Sequence, residues 1–460
     1  MKELSEIRHA AVVDIGKTNV KLAAVDLQNL EETSVITRAN TVLNGPPYPH
    51  YDTEGIWQFI LEGLRELNSG GRIDAITVTT HGASGVMLDE AGELATPVLD
   101  YEYEGPDDLA AEYDAIRPDF AETGSPRLPL GLNLAAQFHW LLATVPALRE
   151  RTATVMTYPQ YWAYRLCGVP ANEMTPLGAH TDLWNHREQR FSSIVAKLGL
   201  EEKMAPLRRA SDRLGRVLPG VAGKTGLSAD TSVFCGIHDS NASLLLHLKS
   251  REAPFSVVST GTWVIAMAIG GRTVHLDPAR DCLMNINAFG DPVPSARFMG
   301  GREYELMGGD ANVQPTPADI EEVLNNDIML LPSVDTGSGP FIGRTASWAP
   351  EEPAQGSGKR SAALAFYLAL MTAHCLDLIG HRGEIVVEGA FSRNDAYLAM
   401  LAAATDAPVH ASVSATGTSV GAALLILPAS QSIVTGSQQP VTPLSGGRNY
   451  MRRWKERISA

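Results

Sequence analysis

Two aspartates in this chain stand where an apolar run gives way to a turn. Asp14 closes the run AAVVDI and is followed by Gly16, Lys17, Thr18 and Asn19, with Lys21 on the next apolar stretch. An acid placed there can hold Mg²⁺ through water, while glycine lets backbone amides approach phosphate oxygens and Thr or Lys adds donors. The same letters describe a tight hairpin with a surface Asp, and DxGxT alone does not choose between the two. Asp239, in GIHDSNAS, suits a general base acting on a hydroxyl, with His238 beside it to bind the same substrate. It equally suits the N-cap of a helix that begins at that point.

A second turn of the first kind follows Asp239. Ser259 to Thr262 reads STGT, so Thr260, Gly261 and Thr262 offer hydroxyls and a glycine between two apolar runs. Two such turns facing one cleft could hold a triphosphate between them. His81 and Gly82 follow the run DAITVTT, and Asp100 with Tyr101 closes TPVLDYEYEG. Polar side chains at strand ends with an aromatic nearby are what a sugar needs, although each of these also reads as a satisfied loop residue. In EGAFSRN, the small Gly389 and Ala390 would let an adenine ring lie against the backbone, with Asn394 in reach. A plain strand-to-helix turn explains those letters too.

The elements that must position these residues follow from periodicity. AAVVDIG, KTN and VKLAAVDL read as a hairpin, and Asp74–Thr80 as a buried β-branched strand leading into a loop, a strand and a turn. A helix is expected over Leu134–Val145. Phe234–Leu248 reads as a strand, a tight turn and a helix starting near Asp239 or Ser240. The hairpin pattern returns in FSVVSTGTWVIAMAIGG: when Val257 and Val258 are laid on Val12 and Val13, Gly261 falls on Gly16 and Ala268 on Ala23. Two lobes of related design are therefore expected, residues 1–247 and 248–460. Ser338–Ser361, rich in Gly, Pro and Ser, reads as a long surface loop. A helix (SAALAFYLALMTAHCLDLIG), a strand (EIVVEGAF) and a helix (NDAYLAMLAAATD) follow, and ATGTSVGAALLIL pairs a small-residue turn with a last helix start. The aromatic and methionine positions of LAFYLALM fit core packing.

Composition bounds the class. At 460 residues the chain exceeds one core, and 44% hydrophobic with 19% charged residues describes a globular protein. A formal net charge of −15 argues against nucleic acid and anionic membrane as partners, while small phosphorylated anions stay compatible. Cys167, Cys235, Cys282 and Cys375 form no CxxC pair, so neither a zinc site nor a disulfide framework is signalled. No stretch approaches roughly 18 uninterrupted apolar residues, so the expectation is a soluble, cytoplasmic protein with no membrane contact.

Taken in order, VVDIGKTNVK, GIHDSNAS, VVSTGTW and VVEGAFSRN with SVGAALL resemble the FGGY carbohydrate kinase family. The resemblance covers nearly the whole chain and rests on the order of the four pieces. It implies an α/β fold of two ribonuclease H-like (actin-like ATPase) domains with a cleft between them, ATP and Mg²⁺, and transfer of the γ-phosphoryl group to a sugar hydroxyl. Asp14 would then organise the metal. Gly16, Lys17, Thr18, Asn19, Lys21, Thr260, Gly261 and Thr262 would face the phosphates, and Gly389, Ala390 and Asn394 the adenosine. Asp239 would be the base, with His238, His81, Gly82 and Asp100 on the sugar. Three features depart from the family's usual pattern. Lys17 stands where a small or hydroxyl residue is common, Glu388-Gly389-Ala390-Phe391 replaces a glycine run, and His precedes the catalytic Asp, as in rhamnulose kinases, while DIGKTN is nearer fuculose kinases. The implied acceptor is a ketose such as L-fuculose, L-rhamnulose or a pentulose, and a homodimer is compatible. The readings left beside it are a sugar-sensing protein that has lost catalysis and an actin-like nucleotide hydrolase.

Overall fold

The computed structural model describes residues 7–412, 417–428, 431–433 and 439–459. The chain forms two compact units. The first holds Met1–Ser250, Met284–Pro292 and Thr416–Val434; the second holds Arg251–Leu283, Val293–Ala415 and Thr435–Ala460. The expected change of lobe at 247/248 thus falls after Ser250, and two later segments return to the first unit.

The first unit is built on a sheet of seven strands. They are β1 (His9–Ile15), β2 (Asn19–Asp26), β3 (Glu31–Ala39), β4 (Ala75–Thr80), β5 (Arg213–Arg216), β6 (Ser232–Phe234) and the short β7 (Ile237–His238). Their order is β5-β6-β4-β1-β2-β3, with β7 also paired to β4. Alternation along β1 and β2 makes both faces apolar, as a sheet covered on both sides requires. Val13, Ile15, Leu22 and Ala24 pack with Ile56, Ile60 and Leu64 of the helix Thr53–Gly70 and with Tyr158 and Trp162 of the helix Tyr158–Cys167. Ala10, Val12, Ala23 and Val25 pack instead with Ala242 and Leu245 of the helix Asp239–Ser250 and with Val420 and Leu424.

The second unit repeats the plan. Its strands are β8 (Phe255–Thr260), β9 (Val264–Ile269), β10 (Pro292–Phe298), β11 (Glu384–Gly389) and β12 (Val409–Ala411), with Cys282–Ile286 paired outside β10. The path β10-β9-β8-β11-β12 matches β3-β2-β1-β4-β6 strand for strand. Along each of these paths the first three strands are antiparallel neighbours and the rest join in parallel. The similarity of the two sequence hairpins is therefore a similarity of whole sheets. The helix Gly358–Leu378 lies inside this unit, with Leu364, Phe366, Tyr367 and Met371 all buried. It is long and apolar enough to cross a bilayer, yet 83% of its apolar window is packed within the protein, which is the mark of a core helix.

Two local expectations change. The segment Ser338–Ser361 is not all loop: Ser347–Ala349 pairs with Met329–Leu331, and the long helix begins at Gly358, where Ser357 accepts from the Arg360 amide as N-cap. SVGAALL does not join the second unit. It forms the helix Gly417–Ala423 in the first, packed on Asp239–Ser250, while Ala415 and Thr416 of its turn lie outside the described residues.

Candidate active site

Three parallel strand ends gather the first unit's polar residues at one sheet edge. β1 and β4 run side by side with Ile15 opposite Thr80, and β7 lies beside β4 with His238 opposite Thr80. The residues at or just past these ends are therefore neighbours: Asp14 and Gly16, His81 and Gly82, His238 and Asp239. The His81 amide donates to Ile15 O at 2.8 Å, and a Cβ on Gly82 would come within 2.8 Å of His238 Nε2. Ligands of open α/β sheets bind at such carboxyl edges.

The turn between β1 and β2 is closed by the Gly16 amide on Asn19 O at 2.9 Å. It is pinned from outside by Asn40, which donates to Gly16 O and Thr18 O, both at 2.8 Å. The backbone N–H groups of Lys17 and Thr18 have no partner among the described residues, and Thr18 and Asn19 are exposed. Open amides of this kind suit phosphate oxygens. Lys21, opposite Asp14 in the hairpin, pairs with Glu32 at 2.5 Å.

Asp14 feels burial first and the Asp239 carboxylate second, and together these push its carboxyl up to about 7 despite Lys21. Two acids held this close favour a cation between or beside them. No group of three or more His, Cys, Asp or Glu side chains among the described residues could cage a metal. That donor set fits Mg²⁺, which typically takes one or two carboxylates and draws its other ligands from phosphate and water. Asp14 is the residue that would hold it.

Asp239 is the first residue of its helix, but its carboxylate does not make the usual capping reach to the second or third amide. Oδ1 accepts from the next residue, Ser240, through N at 2.6 Å and Oγ at 3.2 Å, and His238 Nε2 stands 3.1 Å from it. Oδ2 takes no hydrogen bond among the described residues. His238 is itself fixed from behind. Asn241 Nδ2 lies 3.2 Å from Nδ1, and the His238 amide donates to Thr175 Oγ1 at 3.1 Å. Thr175 in turn donates through N (2.9 Å) and Oγ1 (2.5 Å) to the fully buried Glu173. Gln160 Nε2 donates to Cys235 O and Gly236 O just upstream, at 3.1 and 3.2 Å.

His81 is buried, and burial holds its pKa down at about 4, so the ring is neutral. Nδ1 lies 2.8 Å from Gly82 O, which can only accept, so the proton sits on Nδ1 and Nε2 is a bare acceptor. Nε2 is buried with no partner among the described residues. The ring contacts Tyr51, Tyr101 and Tyr158, with centroids 5.2 to 5.3 Å away. Asp100, also buried, accepts through Oδ1 from Lys17 and Tyr51, so Lys17 is drawn away from its turn.

In the second unit the equivalent edge carries Thr260 opposite Gly389. Thr260 Oγ1 donates to Glu388 O and accepts from the Phe391 amide at 2.9 Å, tying the two strand ends. Gly389 has φ +82°, and a Cβ there would stand 1.9 Å from Thr260 O, so this position requires glycine. The Gly261 amide closes its turn on Trp263 O at 2.9 Å, leaving Gly261 and Thr262 exposed. Gly389 and Ala390 are exposed as well. Asn394 caps the helix Asp395–Thr405 by accepting the Tyr397 amide at 3.0 Å through Oδ1, so its Nδ2 is the group with no bond to the helix.

The residues singled out from sequence thus fall on two edges. Asp14, Lys17, His81, Gly82, Asp100, His238 and Asp239 share the first; Thr260, Gly261, Thr262, Gly389, Ala390 and Asn394 share the second. Missed were Asn241, Glu173, Thr175, Tyr51 and Glu102. Asn241 could have been found, because three residues past His238 on a helix start it must turn back toward that ring. Glu173, Thr175 and Tyr51 come from distant chain segments and leave no local signal, and Glu102, two residues past Asp100, gives none of its pairing with Lys17.

The N-terminal domain of the FGGY family of carbohydrate kinases matches residues 10–245, and the C-terminal domain of carbohydrate kinase FGGY matches residues 252–435. The chain belongs to the FGGY family of carbohydrate kinases. Among curated relatives, the L-fuculokinase of Haemophilus influenzae is 26% identical over 285 residues, 58% of either chain. The rhamnulokinase of Mannheimia succiniciproducens is 25% identical over 301 residues, 61% of this chain and 57% of that one. The chain is matched over little more than half the length of these relatives. A solved carbohydrate kinase from Novosphingobium aromaticivorans is 35% identical with a TM-score of 0.91, covering 98% of this chain and 99% of that one. A xylulose kinase from Lactobacillus acidophilus shares the fold at 14% identity, with a TM-score of 0.80 over 98% of this chain and 97% of that one. The fold is the two-domain, ribonuclease H-like (actin-like ATPase) fold of these kinases.

Proposed function

We propose that this protein is an ATP-dependent carbohydrate kinase in which Asp239 is the general base. The acceptor hydroxyl gives its proton to Asp239 Oδ2, its oxygen bonds to the γ-phosphorus of ATP, and the bond from that phosphorus to the β,γ-bridging oxygen breaks to release ADP. Phosphoryl transfer asks little covalent work of a protein; positioning and charge neutralisation dominate. The single observation that carries the reading is the state of the Asp239 carboxylate. Oδ1 is held by Ser240 with His238 Nε2 beside it, and Oδ2, near Asp14, takes no hydrogen bond among the described residues.

In this reading the turns at Gly16–Asn19 and Thr260–Thr262 receive phosphates through open amides and hydroxyls, and Gly389, Ala390 and Asn394 receive the adenosine. His81 Nε2 accepts from a sugar hydroxyl, with Gly82, Asp100 and His238 around it. Mg²⁺, held by Asp14, supplies charge neutralisation on the phosphates when bound. A ketose such as L-fuculose, L-rhamnulose or a pentulose is the acceptor, and the enzyme works in solution in the cytoplasm. A coupled ADP-release assay over a panel of ketoses and polyols tests all of this: sugar-dependent turnover is expected. Sugar binding without turnover would instead indicate a sensor, and full ATP hydrolysis without sugar an actin-like hydrolase.

A further inference from the structure

Lys17 belongs by position to the first phosphate turn, but its ammonium is committed elsewhere. It pairs with Asp100 Oδ1 and with Glu102 Oε2 at 3.1 Å, and lies 4.6 Å from the Tyr101 ring centroid and 5.5 Å from that of Tyr51. Ordering a lysine this fully costs about 2 kcal/mol of rotamer freedom, so the two carboxylates and two ring faces must outweigh that. Asp100 Oδ1 also accepts from Tyr51 Oη and the Glu102 amide, both at 3.2 Å, while Oδ2 takes no hydrogen bond among the described residues. The same two tyrosine rings touch His81, whose buried Nε2 has no partner among the described residues. Lys17, His238 and Asp239 all act electrostatically on His81, so the ammonium sits among the groups read here as binding the sugar.

We propose that Lys17 and Asp100 form a specificity pair for the phosphoryl acceptor: Lys17 positions the sugar and does not ligate ATP phosphate, and the pair admits a neutral polyhydroxylated acceptor while rejecting a sugar acid. This rests on the kinase reading above. An ammonium has three donor hydrogens. One is donated to Asp100 and Glu102 pairs with the ammonium at 3.1 Å, which leaves at least one for a sugar oxygen. Next to it, Asp100 Oδ2 is an acceptor for a second hydroxyl. A donor and an acceptor side by side match two adjacent hydroxyls of a polyol. Charge decides against an acid: Asp100 already balances Lys17, and Glu102 and Asp239 add negative charge, so a carboxylate on the acceptor meets like charge.

The test compares the wild type with Lys17→Met and with Lys17→Met/Asp100→Asn, the double change removing the unpaired buried carboxylate that could unfold the single variant. ATP and acceptor are each varied, over neutral ketoses and polyols and over D-gluconate as the anionic probe. The expected result is an acceptor KM raised by about tenfold, the worth of one hydrogen bond, in both variants, with the KM for ATP within about twofold of wild type. Wild type is expected to turn over a neutral acceptor and not D-gluconate. A raised KM for ATP with an unchanged acceptor KM would overturn the proposal, as would gluconate turnover matching the best neutral acceptor. In either case the kinase reading stands. A wild type that turns over no neutral acceptor overturns the kinase reading, and this one with it.

Discussion

His238 Nε2 stands 3.1 Å from Oδ1 of Asp239, and Asn241 Nδ2, 3.2 Å from Nδ1, fixes the ring's other nitrogen as an acceptor, so that the Nε2 edge of the ring faces the carboxylate. Burial holds the imidazole below its ordinary pKa, so it is a neutral, oriented ring and not a competing cation. The carboxylate is thereby anchored by one oxygen and offered by the other.

Asp239→Asn keeps an oxygen for His238 and Ser240 and removes the proton acceptor. Turnover is expected to fall by about 10²–10⁴, with the acceptor KM and the melting temperature close to wild type. Steady-state kinetics with a thermal melt checks this; turnover within a few-fold of wild type would remove Asp239 from the mechanism.

His81→Phe keeps a ring among Tyr51, Tyr101 and Tyr158 but deletes the buried acceptor. The acceptor KM should rise by about tenfold with the KM for ATP unchanged. An equal effect on both substrates would mean that the change disturbs the fold at the strand end and not the sugar.

Glu173 is fully buried, and burial pushes its carboxyl from 4.5 up to about 8 although Thr175 hydrogen bonds oppose this. Between those two values the unfolded chain releases a proton that the native state keeps. Its contribution to stability is therefore fully present below pH 4.5 and declines as pH rises toward 8, by about 1.4 kcal/mol per pH unit. Glu173→Gln is expected to melt higher than wild type at pH 8, by roughly 5 °C or more, and to differ little at pH 5. Melting curves of the two proteins across that range decide it, and parallel curves would show that Glu173 is ionised in the native protein.

Gly421 lets the helix Gly417–Ala423 lie against Asp239–Ser250: a Cβ there would stand 1.8 Å from Ala242 O. Gly421→Ala should destabilise by about 1–3 kcal/mol, the usual cost of overpacking. Gly220→Ala, in the helix Pro219–Thr225 with nothing within 4 Å of its Cβ, should be neutral or stabilising by about 1 kcal/mol. Equal melting shifts for the two would count against the contact.

What was legible in the sequence was what periodicity and turn chemistry encode. The two hairpins, the strand before His81 and the helix from Asp239 follow from local patterns, and so does the gathering of Asp14, His81 and Asp239 once those strands are parallel neighbours. Lys17 was not legible. Its place in the turn argues for phosphate, and only the fold brings Asp100 and Glu102, more than eighty residues away, to its ammonium. Glu173 was invisible for the same reason. The strand Ser347–Ala349 hid in a Gly- and Pro-rich stretch because its pairing with Met329–Leu331, not its own propensity, makes it a strand.

The return of Thr416–Val434 to the first unit sets a direction on how this chain must mature. Val420 and Leu424 cover the sheet face that carries Val12 and Ala23. During synthesis that apolar face waits, covered only by the helix Asp239–Ser250, until Val420 and Leu424 have left the ribosome, while the second unit's strands from Phe255 onward emerge first. A fragment ending at Ser250 should accordingly be insoluble, and recovering it would require supplying the later helix as a separate peptide. The first unit is completed only after most of the second has been made.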